Sequence, residues 1–348
     1  MGNIKVEKGK QRAGTLILVL FSALLLLQRL PAQWDACGLV GRWQGSGCVR
    51  SFRSGGMLLF MPDGETIVRE RRGGRILIEP RSFRWPAERV TLDHPDRVQN
   101  TAVSVDGQFL ATCAGSNGQI WLWALPTQTV IYRRPALYRS CLGKTLKFSP
   151  DNQLLAVGDT KSMELWRTAD RRIIAIQGER ALAFAPEGER VATVTAATTV
   201  AIWQLDPLER LADLVTDPEG GSIVDLAFSP DGRLLAANTL DGKVYVWESE
   251  RQELILLLAQ EAFSLSNLVF SPDGRLLAST SYESGVNSRD SYLYVWQVAD
   301  GRLHRRVRLG ARIYPFAVQF APDSNQVAVS GDDSLILAVN LLAQAVTR

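Results

Sequence analysis

The apolar positions of this chain fall into two regimes. Ala13 to Leu27 (AGTLILVLFSALLLL) is an uncharged apolar run of 15 residues. From about Leu39 onward the pattern changes to short apolar runs separated by turn residues. Val224 to Trp247 (VDLAFSPDGRLLAANTLDGKVYVW) shows the second regime most cleanly. Leu226–Phe228, Leu234–Ala237 and Val244–Trp247 are β-rich runs, with Pro230-Asp231-Gly232 and Asp241-Gly242 between them. Turn signals between short strands predict an antiparallel meander. Asp241-Gly242 and Asn117-Gly118 supply the φ > 0 positions of a two-residue hairpin. Both faces of Val244-Tyr245-Val246-Trp247 are apolar, as a strand sandwiched between two layers requires. A meander of three or four strands cannot bury both faces alone, so copies of it must stack.

The copies are present. An acidic turn residue recurs at Asp63, Asp106, Asp151, Glu187, Asp231, Asp273 and Asp323, at spacings of 43, 45, 36, 44, 42 and 50 residues. Some 15–17 residues after the anchor an aromatic-rich run ends at Trp123, Trp166, Trp203 and Trp247. A longer excursion precedes Trp296, and the first and last copies place Ile78 and Val339 there. A period of about 40–45 residues with four short strands per copy signals a β-propeller.

These copies resemble WD40 repeats, in the FSPDGRLLAS style, over roughly residues 39–348. The resemblance implies an all-β, seven-bladed β-propeller of four-stranded antiparallel blades, preceded by one N-terminal hydrophobic helix. Degenerate copies leave a range of six to eight blades. Trp123, Trp166, Trp203, Trp247, Trp296, Asp231 and Asp273 then read as structural. The Asp that follows the Trp in the family is replaced by Ala124, Arg167, Gln204, Glu248 and Gln297, and the opening Gly-His pair is absent. The family's Asp-His-Ser/Thr-Trp hydrogen-bond network is therefore not expected, and apolar packing must hold the blades. The last copy reaches Arg348 before its outer strand is complete, so Leu39 to Val49 is expected to supply that strand, as in the family's closure of the ring.

Domain organisation follows. Residues 1–12 form a basic segment, 13–30 a transmembrane anchor or signal segment, 31–38 a short linker, and 39–348 the WD40-like propeller. A span needs about 20 apolar residues and a signal core about 7–15, so the run lies on the border. Leu30 at the −3 position fits cleavage after Ala32 poorly, which favours an uncleaved anchor over a cleaved signal or a core helix. Basic residues precede the run, which puts the N-terminus in the cytoplasm and the propeller on the outer side. Signal cleavage would instead make the protein secreted or periplasmic.

Charge narrows the function. Lys5, Lys8, Lys10 and Arg12 against Glu7 account for the whole formal charge of +3. A balanced body argues against nucleic acid as a partner. The four cysteines show no C-x-x-C spacing and only His94 and His304 could join them, so no metal site is expected. Cys113 reads as a small core residue. Cys37 and Cys48 are candidates for a disulfide if the domain is exported.

No nucleophile elbow, zinc-protease helix or P-loop is present. His94 in a turn and His304 in an Arg-rich strand read as surface histidines. Binding residues concentrate in long loops on a rigid frame. The resemblance places Gly45–Gly56, Arg133–Lys144 and Tyr282–Ser291, three loops longer than usual, on the face opposite the SPDG turns. Tyr138, Arg139, Phe263, Tyr282, Arg289, Arg312 and Tyr314 fall on or near that face, and Tyr and Arg dominate interface hot spots. Arg69 to Arg75 reads as a hairpin tip, and Arg305, Arg306 and Arg308 as charges blunting an outer strand. The expected function is a non-enzymatic, membrane-anchored, protein-binding scaffold with no cofactor and no small-molecule ligand. The alternatives are a propeller enzyme or ligand sensor using the central channel, or a soluble intracellular WD40 scaffold.

Overall fold

The computed structural model describes residues 42–44, 47–51, 58–61, 66–71, 74–80, 90–115, 118–134, 145–158, 162–259, 265–284, 289–311, 315–321, 323–331 and 335–341. The chain divides into two units, Met1–Arg42 and Trp43–Arg348. The expected N-terminal helix, the linker and Cys37 lie outside the described residues. Among the described residues no helix is long and apolar enough to cross a membrane.

The described residues are all β. After β1 (Arg42–Gln44) and β2 (Gly47–Ser51), six four-stranded sheets follow in chain order. They run from β3 (Leu58–Phe60) to β6 (Val90–Asp93), β7 (Val98–Val103) to β10 (Thr129–Arg134), and β11 (Thr145–Phe148) to β14 (Ile173–Ile176). The next three run from β15 (Glu179–Phe184) to β18 (Leu208–Val215), β19 (Ile223–Phe228) to β22 (Glu253–Ala259), and β23 (Leu265–Phe270) to β26 (Leu303–Ala311). The last sheet joins the two ends of this list: β27 (Pro315–Phe320), β28 (Gln326–Gly331) and β29 (Leu335–Asn340) continue into β2, with Cys48 opposite Ala338 and Ser51 opposite Leu335. Each of the six four-stranded sheets is a meander, and the set is propeller-like.

The core lies between sheets rather than within them. Val200, Ile202 and Leu214 of the β15–β18 sheet pack on Leu226, Leu235, Tyr245 and Trp247 of the next. Ala236, Val244 and Val246 of that sheet meet Leu268, Tyr294 and Trp296 of the one after. This is why the third strands are apolar on both faces: each face is an interface. The first strands β7, β11, β15, β19, β23 and β27 line a common cavity of about 600 Å³, as the innermost strands of a propeller do.

The recurring Ser-Pro-Asp-Gly turn has a local cause. Ser229 Oγ donates to Asp231 Oδ1 at 2.6 Å and accepts the Leu234 N–H at 2.9 Å, while Asp231 accepts the Arg233 N–H at 3.1 Å. Gly232 takes the left-handed conformation, φ 72°, that closes the turn. Ser104–Asp106, Ser149–Asp151 and Ser271–Asp273 repeat the hydroxyl–carboxylate link at 2.5–2.6 Å. The acidic anchor of the repeat is thus a turn-builder. The Ser229 hydroxyl, with burial opposing it, holds the Asp231 carboxyl below its usual range.

The pairing register refines the repeat. Trp123, Trp166, Trp203, Trp247 and Trp296 each face the second residue of the preceding strand, as Trp247 faces Leu235. In the first sheet that place belongs to the buried Glu79, paired with Ile67, and not to Ile78. Beside four of the tryptophans the outer strand carries one extra residue: Ile131, Leu211, Ile255 and His304. A bulge twists an outer strand and blunts its open edge.

Candidate functional site

The β24–β25 hairpin departs furthest from the repeat. The insertion expected as a loop at Tyr282–Ser291 is mostly strand: β24 (Leu276–Ser284) and β25 (Arg289–Gln297) each run nine residues. Pairing continues through Tyr282–Ser291, Glu283–Asp290 and Ser284–Arg289. The outer strand β26 follows the extension, with Asp290 opposite Ala311 and Ser291 opposite Gly310. A bidentate ion pair pins it: Arg308 Nε and Nη2 donate to the two Asp290 oxygens at 2.8 and 2.9 Å. The Arg308 guanidinium holds the Asp290 carboxyl below its usual range. Arg306 lies over the Tyr292 ring at 4.1 Å, and Tyr294 stacks on Trp296 at 5.7 Å. Cross-strand pairing turns an insertion into a rigid extension, which is why a loop reading missed it.

Of the residues expected at the partner face, Tyr282 is half-buried on β24 and Arg289 begins β25. Tyr138, Arg139, Phe263, Arg312 and Tyr314 lie outside the described residues. The chain connections that contain them, β10 to β11, β22 to β23 and β26 to β27, each join a fourth strand to a first. By topology such connections leave from the end of a sheet that carries the second-to-third hairpin. Arg305, Arg306 and Arg308 do sit on an outer strand, and Arg71 pairs with Arg75 at a hairpin tip.

A second polar group ties the β18–β19 connection to the β20–β21 hairpin, between β20 (Leu234–Thr239) and β21 (Lys243–Glu248). Lys243 Nζ reaches Asp217 at 3.2 Å and Asp241 at 3.1 Å. Hydrogen bonds to these two carboxylates raise the Lys243 pKa above its usual range. The Asp217 N–H also donates to the Tyr245 hydroxyl at 3.3 Å. Where the family network was not expected, one link of it survives. Trp123 Nε1 donates to Thr112 at 3.2 Å and Trp203 Nε1 to Thr193 at 2.9 Å. Trp166 uses Glu164 instead, at 2.8 Å, while the buried Trp296 Nε1 has no partner.

Two sequence readings are corrected. His94 is buried, with its ring 4.5 Å from Trp121 and 6.2 Å from Trp123, because the turn after β6 folds back against the next sheet. Its Nδ1 accepts the Asp96 N–H at 3.2 Å, and burial lowers its pKa against the opposing pull of Asp96. Cys113 is fully buried, but it is also disulfide-bonded, to a cysteine outside the described side chains. Sequence adjacency pointed to Cys37 and Cys48, whose side chains lie outside the described residues. Among the described residues, no group of three or more His, Cys, Asp or Glu is placed to hold a metal.

Comparison with known proteins agrees with this frame. The family model described as "WD domain, G-beta repeat" matches residues 88–124, 213–248 and 257–297. The chain is similar to telomerase protein component 1 of Mus musculus, 28% identical over 194 residues, which is 54% of this chain and 7% of that protein. The Rattus norvegicus counterpart is 29% identical over 195 residues, 54% of this chain and 7% of that protein. Periodic tryptophan protein 2 of Arabidopsis thaliana is 26% identical over 237 residues, 66% of this chain and 25% of that protein. The chain therefore spans only a small part of the length of the curated relatives it matches. Three stretches of this chain, each ending one residue past a third-strand tryptophan, thus match the WD40-repeat model.

Proposed function

We propose that the protein is a non-enzymatic scaffold, a seven-bladed WD40-like propeller that binds a protein partner through the end of the sheets carrying the β24–β25 hairpin. The observation that carries this is the hairpin extension, regular in pairing and pinned by Arg308 and Asp290. A rigid protrusion is a pre-organised contact surface and loses little entropy on binding. Seven sheets, with β2 paired to β29, support a ring closed by the chain's own start. The name of one relative, a protein component of telomerase, is that of a member of an assembly, which fits a scaffold.

The polar groups described above are engaged in turns and inter-strand links, which supports binding over catalysis. Residues 13–30 would anchor the propeller to a membrane with its body on the outer side. A buried disulfide at Cys113 supports an oxidising compartment for that body. Fractionation with N-terminal sequencing of the mature protein tests the anchor: a chain recovered from the soluble fraction and beginning after residue 30 overturns it.

The partner surface is tested by replacing 283–290 with a two-residue Asn-Gly turn in the full chain and cross-linking in native membranes. The expected result is loss of the wild-type cross-linked partner with the melting temperature retained. An unchanged set of partners overturns the proposal.

A further inference from the structure

The axial cavity breaks the repeat at one position. Six equivalent residues, two before the Ser or Ala that opens each turn, face it: Ala102, Lys147, Ala183, Ala227, Val269 and Gln319. Five are neutral and one is a cation. Around them the wall is mostly apolar, interrupted by Thr101 and Ser229, with Phe148, Phe184, Phe228 and Phe270 one residue further along their strands and Pro150, Pro186 and Pro230 at the mouth beside the turns.

Lys147 is held but not exhausted. Its Nζ donates to the Leu182 carbonyl at 3.1 Å and to Asp225 Oδ1 at 3.3 Å. An ammonium has three N–H donors, so one remains. Asp225 is shared more widely: its Oδ1 also accepts the Leu226 N–H at 2.9 Å and its Oδ2 the Leu268 N–H at 3.0 Å. Those amide donors satisfy the carboxylate independently of the lysine. The Lys147 side chain keeps 43% of its surface exposed, against 23% for Asp225. The pair therefore presents its positive end to the cavity more fully than its negative one. Apolar walls strengthen the attraction of such a cation for an anion.

We propose that this cavity binds a carboxylate carried on an apolar body, with the carboxylate on Lys147 and the body against the phenylalanine wall. A cavity of about 600 Å³ is of the size that takes a small ligand or an inserted peptide side chain. This site is distinct from the hairpin surface proposed above and stands or falls without it.

The test is calorimetric titration of the full chain with 4-phenylbutyrate, 4-phenylbutanol and 4-phenylbutylamine, which share one body and differ in charge. The carboxylate is expected to bind about tenfold or more tighter than the alcohol, the range of a charge-assisted hydrogen bond, and the amine weakest. Lys147→Met removes the preference for the carboxylate and Lys147→Arg keeps it. Gln319→Lys, exposed at the equivalent position, tightens carboxylate binding without touching the Lys147–Asp225 pair, so the proposal can be judged even if Lys147→Met does not fold. Acetyl-Phe-Glu-Phe-amide in place of 4-phenylbutyrate distinguishes a peptide source of the carboxylate from a free small molecule; tighter binding of one names the source. Equal affinity for carboxylate and alcohol, binding unchanged in Lys147→Met, or no binding of any probe overturns the proposal.

Discussion

The β19–β22 and β23–β26 sheets are neighbours built on one repeat, and they use their polar residues differently. In the first, the β20–β21 turn is tight, and Lys243 ties its Asp241 to Asp217 of the preceding connection. Asp241 also accepts the Thr239 hydroxyl. In the second, each strand of the corresponding hairpin is three residues longer, and its described pin is the Arg308–Asp290 pair on an outer strand. Both sheets keep the same inner frame, the Ser-Asp turn and the third-strand tryptophan. The difference teaches that the repeat's regular residues are committed to the fold, and that the variation is confined to one end of the sheet.

The comparison breaks most severely at the tryptophans. Trp247→Ala and Trp296→Ala should each cost about 3–5 kcal/mol, because both are almost fully buried between sheets. Equal losses in chemical denaturation would confirm a common frame; a loss confined to one sheet would break it. Next come the turns. Asp231→Ala and Asp273→Ala each remove the acceptor of a hydroxyl and of an N–H, and each should cost about 1–3 kcal/mol in the same assay.

A smaller, pH-dependent effect lies outside both sheets and calibrates them. The His94 pKa in the folded protein lies below its ordinary value of 6.5, so the unfolded chain binds the extra proton first. The stability that neutral His94 contributes is complete above pH of about 6.5 and is lost as pH falls through the folded value. Thermal melts between pH 7.5 and 5 should fall in midpoint, and His94→Phe should flatten that fall. An unaltered slope in the variant would show that His94 is not the group responsible. The smallest effect is at the hairpin pin. Arg308→Ala should leave the denaturation midpoint almost unchanged, since Arg308 is 60% exposed, while hydrogen exchange at Tyr282–Asp290 quickens. A larger loss would mean that the extension is part of the cooperative core.

Much of the frame was legible along the chain because it is periodic. Asp231, Asp273 and the tryptophans recur at spacings that only stacked meanders explain. The surviving Trp123–Thr112 and Trp203–Thr193 links were missed because the surrounding motif is degenerate. A threonine two places along the second strand from the residue facing the tryptophan was the signal that could have found them. The bulges at Ile131, Leu211, Ile255 and His304 carry no motif, since a bulge is a mismatch between two strands and not a property of one.

The sequence by itself determined the strand pattern, the repeat and the turn chemistry, because these depend on residues within a few positions of each other. Only the tertiary structure decided what is read between sheets. His94 is buried because the neighbouring sheet supplies Trp121 and Trp123. The inserted hairpin is strand because β26 extends alongside it. Lys147 is held at the cavity because Leu182 and Asp225 reach it from two other sheets, separated from it by 35 and 78 residues. Local pattern specifies each sheet; the meeting of sheets, which joins residues far apart in the chain, specifies the sites.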